Sequence, residues 1–324
     1  MKKVYLVLTL IGLAFFFVSC AKQQAPAKQE QAQIWQSQEG TRSFEKMTDD
    51  NDQVVGRTSF LGDNYYCLDK QEKRLFFLKQ QRADQWNVFM KRLDGGNLSE
   101  QRTFVDYIVT DPAISPDGKI LAYTDQREKG FNIYTINAEG VSNVRQITNT
   151  KEPSFLPSFF PNRRAILYVE TGKDNTQYIW SVNLDNTTPT QHCVGYSPSF
   201  FADGKKIAFV RNNLATKQSE LYVYDFENSK EFLLLSDPDR SFYQPSVSPS
   251  GKYVAYTAKT AVGRTEKNFD IYMIDLQGKQ PIQVTFYPGN DINPKWSQDG
   301  KYLYILSQRN SSQKNYNIWR VKAF

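Results

Sequence analysis

The chain has one histidine, His192, followed directly by Cys193. A histidine can serve as base for a serine or cysteine nucleophile. Two features speak against that chemistry here. No Gly-x-Ser-x-Gly elbow occurs in the sequence. Adjacent residues on a strand also point to opposite faces, so His192 and Cys193 cannot work as a pair. Asp117, Asp203 and Asp299 look like an acidic set, but each stands directly before a glycine. A short polar side chain before Gly is turn chemistry. Asn87, Asn132, Glu220, Asp270 and Asn317 recur at one place in five segments of the chain. They are expected to satisfy backbone groups where a strand begins. No phosphate loop or calcium loop is present. The expectation is no catalytic residue, no metal and no cofactor.

The elements that hold these residues are short strands. Tyr (19) and Phe (22) dominate the aromatic residues of a 324-residue chain that is 40% hydrophobic. Aromatic residues favour strands over helices. The net charge of +6 includes Lys2 and Lys3, and the other basic residues form no block. Nucleic acid is therefore not the expected partner.

One segment repeats along the chain. Asp111-Pro-Ala-Ile-Ser-Pro-Asp-Gly-Lys-Ile-Leu-Ala-Tyr123 recurs from Leu156, Ser197, Gln244 and Asn293, each followed by Pro. A degenerate first copy runs Tyr65 to Phe77, and the six copies lie 41 to 49 residues apart. Within a copy, a short strand meets an Asp-Gly or Ser-Gly reversal, and then an apolar strand such as Ile120–Tyr123. A third strand follows, as in Asn132-Ile-Tyr134 or Asp270-Ile-Tyr272, then a fourth ending near Thr, as in Ile147-Thr148. Four antiparallel strands in a repeat of this length make a propeller blade, and stacking in a ring buries both faces. The fold expected over 42–324 is an all-β, six-bladed β-propeller of four-stranded antiparallel blades.

The ends predict how the ring closes. The sixth copy stops after its third strand, Ile318–Val321, yet Phe44–Asp50 looks like a fourth-strand pattern. Residues about 42–48 are expected to pair with the strand around 316–322. The last blade is then completed by the N-terminal strand, and its edge is protected.

The pattern Pro-x-aromatic-Ser-Pro-Asp-Gly-Lys-x-Ile-Ala-Tyr, then Asp/Asn-Ile-Tyr, then Leu/Ile-Thr, resembles the TolB-type (WD40-like) propeller repeat. Related repeats occur in the propellers of prolyl-oligopeptidase-like peptidases. The likeness covers about 42–324. It implies a periplasmic protein, since the family binds a peptidoglycan-associated lipoprotein and colicins. No counterpart of the family's N-terminal α/β domain is expected here, and no hydrolase domain after the propeller. Polysaccharide-lyase propellers that hold a metal with several histidines are not matched, because the histidines are missing.

Residues 1–19 read as a signal peptide, with Lys2 and Lys3 ahead of an apolar run from Val4 to Val18. Phe17-Val18-Ser19-Cys20 resembles the lipobox of bacterial lipoproteins, although Phe17 stands where Leu is usual. That resemblance implies a lipid on Cys20. Ala21 after the cysteine implies outer-membrane sorting by the enterobacterial rule. Residues 20–41, rich in Gln, Ala and Lys, read as a flexible tether. About 20 such residues reach roughly 25 Å in root-mean-square extent. Cys67 and Cys193 lie in repeats that are not neighbours and are expected as two buried free thiols.

Binding is the favoured role. The links from fourth to first strands and from second to third strands open on one face, and loops on a rigid scaffold commonly carry recognition. The residues before each repeated proline, with Tyr65 in the first copy, are expected to ring the channel mouth. The proposed contacts there and on the adjoining loops are Asp111, Tyr196, Ser197, Arg240, Gln244, Asp291 and Asn293. The expected partner is an envelope protein or peptide, such as a peptidoglycan-associated lipoprotein or an outer-membrane complex. The expected location is the outer membrane through the lipid, with the propeller in the periplasm. The alternative is a carbohydrate-active hydrolase or lyase, or a glycan-binding accessory protein using exposed aromatics such as Tyr196, Phe242 and Tyr243. The enzyme would need clustered acids in the channel.

Overall fold

The computed structural model describes residues 42–49, 52, 54, 64–96, 98–127, 130–140, 142–162, 164–186, 188–259, 268–277, 280–310 and 315–324. Residues 1–19, Cys20, the tether up to 41 and most of the loop between Lys259 and Phe269 lie outside them.

Six four-stranded antiparallel sheets form the ring. The first strand, β1 (Phe44–Lys46), precedes blade 1, which is β2 (Tyr66–Leu68), β3 (Arg74–Arg82), β4 (Gln85–Arg92) and β5 (Ser99–Gln101). Blade 2 is β6 (Val109–Ile114), β7 (Ile120–Arg127), β8 (Gly130–Asn137) and β9 (Arg145–Gln146). Blade 3 is β10 (Ser154–Phe159), β11 (Ala165–Thr171), β12 (Gln177–Asn183) and β13 (Pro189–Val194). Blade 4 is β14 (Tyr196–Phe200), β15 (Lys206–Asn212), β16 (Ser219–Asp225) and β17 (Lys230–Leu235). Blade 5 is β18 (Phe242–Val247), β19 (Tyr253–Lys259), β20 (Phe269–Asp275) and β21 (Ile282–Gln283). Blade 6 is β22 (Asp291–Trp296), β23 (Tyr302–Ser307) and β24 (Asn317–Lys322), with β1 as its outer strand.

The apolar runs of the repeat fill the second strands. Leu75–Leu78, Ile207–Val210 and Leu303–Leu306 are wholly buried, because blades stack on both their faces. The outer strands are more exposed, and the adjacent Phe232 and Leu233 of β17 are about half exposed, at 50% and 51%. The reversals between first and second strands need a left-handed residue. Gly118, Gly204, Gly251 and Gly300 supply it with φ of 68° to 72°, where a side chain would be strained. In the degenerate first copy Glu72 takes that place at φ 54°.

Closure is made by the expected strand, and its register pairs Phe44 with Val321, Glu45 with Arg320 and Lys46 with Trp319. The segment is also tied to blade 1. Lys91 reaches Asp52 at 3.1 Å and Asp49 at 3.3 Å, and Ser99 donates to Asp52 at 2.6 Å. The N-terminal segment therefore bonds to both blades that it joins.

Candidate functional site

The channel is walled by the first strands, and the repeated proline shapes it. In β6 the pairing runs Thr110 with Thr124 and then Ala113 with Ala122, so one extra residue bulges out. The same shift recurs in β10, β14, β18 and β22. Proline has no N–H to give a ladder, so it is tolerated at a bulge. The residue before it turns left-handed in all five cases: Asp111 (φ 54°), Leu156 (56°), Ser197 (49°), Gln244 (51°) and Asn293 (55°). Positive φ is uncommon for residues with a Cβ, and strain of this kind persists only where surroundings enforce it. Blade 1, with Tyr66 in place of proline, pairs β2 with β3 without a bulge.

The enforcing contacts link neighbouring blades. Asp111 accepts the Asn64 N–H at 2.9 Å from blade 1's side and the Leu156 N–H at 3.4 Å from blade 3. It also accepts from Thr124 and Thr110, each at 2.9 Å. Gln244 Oε1 accepts the Asn293 N–H of blade 6 at 2.9 Å and the Thr257 hydroxyl at 3.0 Å. Burial raises the Asp111 pKa, while these donors hold it back.

Three tiers of residues line a cavity of ≈ 540 Å³. The pre-proline tier contributes Leu156, Ser197, Gln244 and Asn293. The next tier, one residue past the proline, contributes Cys67, Ala113, Ser158, Ser199, Ser246 and Lys295, one from each blade. The third tier is the rim: Lys70, Pro116, Pro161, Ala202, Pro249 and Gln298, in the turns between first and second strands. The cavity thus reaches the face of those turns, opposite to the face on which binding was expected. Its lining contains two lysines and no Asp or Glu among the described residues.

The residues singled out from sequence fall in different places. Ser197, Gln244 and Asn293 line the cavity, whereas Asp111 is buried behind it at 1% exposure. Tyr65, too, is buried and does not line the cavity. Tyr196 is buried and donates its hydroxyl to Asn212 at 3.1 Å. Asp291 is buried and accepts from Arg309 at 2.8 Å. Arg240 lies over the Tyr272 ring at 4.6 Å and donates to the Lys259 carbonyl at 3.0 Å. Among the glycan-contact candidates, Phe242 is buried.

His192 lies 2.8 Å from the Ser181 hydroxyl and packs edge-on against Phe226. Cys193 and Cys67 are buried free thiols, and burial pushes both pKa values up to about 12. Neither is a nucleophile at neutral pH. Among the described residues no group of three or more His, Cys, Asp and Glu is placed to hold a metal ion.

The turn acids do turn chemistry. Asp117 accepts from Ser115 at 2.6 Å and from the Lys119 N–H at 3.1 Å, and the Ser115 bond chiefly lowers its pKa. Asp299 repeats this with Ser297 at 2.7 Å. The recurring Asn and Asp residues accept from the threonine that follows the fourth strand, as Asn87 does from Thr103 at 2.9 Å. Asn87 also accepts the Val105 N–H at 3.1 Å.

Sequence reading did not single out Lys295. The signal was present: at its repeat position the other copies have Cys, Ala, Ser, Ser and Ser, so one long cation breaks the pattern.

Residues 190–321 match the TolB beta propeller domain family. The chain carries a TolB-like six-bladed β-propeller. A Tol-Pal system protein TolB of Francisella tularensis subsp. tularensis is 27% identical over 203 residues. That match covers 59% of this chain and 44% of the relative, so the chain spans less than half of the TolB protein it resembles. The solved structure of a putative TolB from Agrobacterium tumefaciens superposes on the TolB-like propeller with a TM-score of 0.61 at 18% identity. The superposition covers 79% of this chain and 89% of that one. An oligogalacturonate lyase from Vibrio parahaemolyticus aligns with a TM-score of 0.54 at 12% identity, over 87% of this chain and 97% of that one. Likeness at these identities concerns the fold, and propellers host many activities.

Proposed function

We propose that this chain is an exported envelope lipoprotein, anchored by a lipid on Cys20, whose TolB-like propeller binds a protein or peptide without catalysing a reaction. The partner class is that of the Tol-Pal system named for its relative: a peptidoglycan-associated lipoprotein or another outer-membrane complex. The propeller then stands in the periplasm at the end of a tether over 20–41. Export is read from residues 1–19 and lipidation from Ser19-Cys20.

The observation that carries the reading is the channel. Its wall combines hydroxyls, amides and two lysines with prolines, aromatic and aliphatic side chains such as Phe200, Trp296 and Leu156, and holds no carboxylate among the described lining residues. Glycoside hydrolysis uses two carboxylates flanking the bond. Such a wall instead offers donors and apolar contact, which is what recognition of a polar chain needs.

The test is crosslinking of the mature, lipidated protein in envelopes followed by capture. Recovery of one specific envelope protein is expected. No specific partner, together with turnover of an envelope glycan by the purified protein, would overturn the proposal.

A further inference from the structure

Two serine hydroxyls in the second tier of the channel keep a donor that no described acceptor takes. Ser199 Oγ accepts the Val247 N–H at 3.1 Å, and Ser246 Oγ accepts the Trp296 N–H at 3.3 Å. Each hydroxyl is thus turned by the next blade's backbone, and its own O–H is left to donate. Cys67, Ala113 and Ser158 complete the tier with small side chains, so the space between them stays open.

Lys295 is the one long side chain in this tier. Its ammonium lies 5.5 Å from the centre of the Tyr66 ring. No hydrogen bond or ion pair reaches it among the described residues. The groups that face it do not neutralise it. The Cys67 thiol stays protonated at neutral pH. The Asp111 carboxylate acts on it only at a distance, and four donors from three blades already occupy it. Burial pulls the Lys295 pKa down to about 8, so below that pH it is a cation lacking a close counter-charge. An uncompensated charge in a wall is costly, and such charges are paired or bind something.

The rim adds direction. Lys70, exposed at the turn face, is the second cation of the cavity. Pro116, Pro161, Pro249 and Phe201 surround the opening with apolar surface. A ligand must therefore offer an anionic end to the tier of Lys295 and an apolar body to the rim.

The geometry points to a carboxylate-binding site at Lys295, Ser199 and Ser246, entered from the face of the strand 1–strand 2 turns, for a peptide bearing a free carboxylate. This rests on the partner-binding reading above and names the chemistry of what enters the channel.

The test uses three probes by titration calorimetry on the full chain: N-acetyl-Ala-Phe-Ala as the free acid, the same peptide as its C-terminal amide, and N-acetyl-Glu-Phe-Ala amide. The acid is expected to bind at least about tenfold tighter than the amide, as for a charge-assisted hydrogen bond. The glutamyl peptide reports whether a side-chain carboxylate serves as well as a terminal one. Lys295→Met should erase the difference between acid and amide, while Lys70→Ala should weaken the acid by less than about threefold, as for an exposed charge. Equal binding of acid and amide, no binding of either, or an unchanged Lys295→Met variant would overturn the inference. Competition by inorganic phosphate as strong as by the peptide would reduce the site to a simple anion hole and overturn the peptide assignment. Envelope crosslinking with Lys295→Met separates the two readings. If a partner is recovered as with the wild type while the peptide arms fail, partner binding stands and the carboxylate site falls.

Discussion

Thr48 Oγ1 donates a hydrogen bond to Asn317 Oδ1 at 3.0 Å, although 269 positions separate them. The Ile318 N–H donates back to Thr48 Oγ1 at 2.9 Å. The same clasp occurs within single blades, where Thr148 meets Asn132 at 3.2 Å and the Ile133 N–H at 2.9 Å. Closure of the ring is therefore an ordinary blade bond made between the two ends of the chain.

The clasp predicts a selective loss. Thr48→Val should cost about 1–3 kcal/mol, the range for leaving a buried donor unpaired. It should also expose the N-terminal segment to protease. Thr148→Val should cost a similar amount without that exposure, because its blade is continuous in sequence. Deleting residues 41–49 should lower the melting temperature sharply. Scanning calorimetry and limited proteolysis check all three, and an unchanged melting temperature after the deletion would refute closure by this strand.

The bulge ring predicts an ordering of variants. Gln244→Ala removes the acceptor for the Asn293 N–H and the Thr257 hydroxyl. Gln244→Gly removes the same acceptor but also the Cβ at φ 51°. A left-handed Cβ costs about 1–2 kcal/mol. Denaturant melts should therefore show the glycine variant less destabilised than the alanine variant. The reverse order would mean that the left-handed backbone stores no strain.

Asp291 was expected on a binding face, and its structural partner predicts another outcome. Arg309 holds it at 2.8 Å, with side chains 5% and 0% exposed, and stacks 3.6 Å over the Phe44 ring. Arg309→Met should cost about 3–5 kcal/mol, because a buried carboxylate is left without its cation. Arg309→Lys should also destabilise, since an ammonium does not stack as a planar guanidinium does. Urea unfolding measures both. A loss of partner capture with stability intact would instead assign Asp291 to recognition.

Lys295 predicts a pH dependence. Its pKa is about 8 in the fold against 10.5 as the ordinary value. Above 10.5 it is neutral in both states. As pH falls from 10.5 to 8 the unfolded chain takes the proton first, so stability is lost over that window. Below 8 both states are charged and the penalty stays constant. The neighbouring Cys67 works the other way: its pKa is raised from 9.0 to about 12, so its contribution is present below 9 and lost as pH rises through 12. Comparing Lys295→Met with wild type isolates the lysine. The variant should be the more stable at pH 7, with the gap closing between pH 8 and 10.5 in thermal melts. A less stable variant at pH 7 would mean that the lysine is structurally compensated.

The two cysteines predict inertness. With both thiols buried and pushed up to about 12, iodoacetamide at pH 8 should label neither in the native protein and both after denaturation. Rapid native labelling of Cys67 would show that its thiolate forms readily in the cavity that it lines.

The repeat copies beginning at Asp111, Leu156, Ser197, Gln244 and Asn293 determined the blade count, the strands and the left-handed glycine turns. These are local properties: periodic apolar runs, a Gly after a short polar residue, and a proline without an N–H. The closing strand was legible too, because Phe44–Asp50 repeats a pattern found elsewhere. The use of each channel side chain was not legible. Asp111 and Asn293 hold equivalent places in the repeat, yet one is buried behind the cavity by four donors and the other lines it. Two of those donors, the Asn64 and Leu156 N–H groups, come from blades about 45 residues away, brought together only by stacking. Lys295 is one residue in one repeat by sequence. In the ring it becomes the one lysine in a tier of small side chains, and burial there lowers its pKa to about 8.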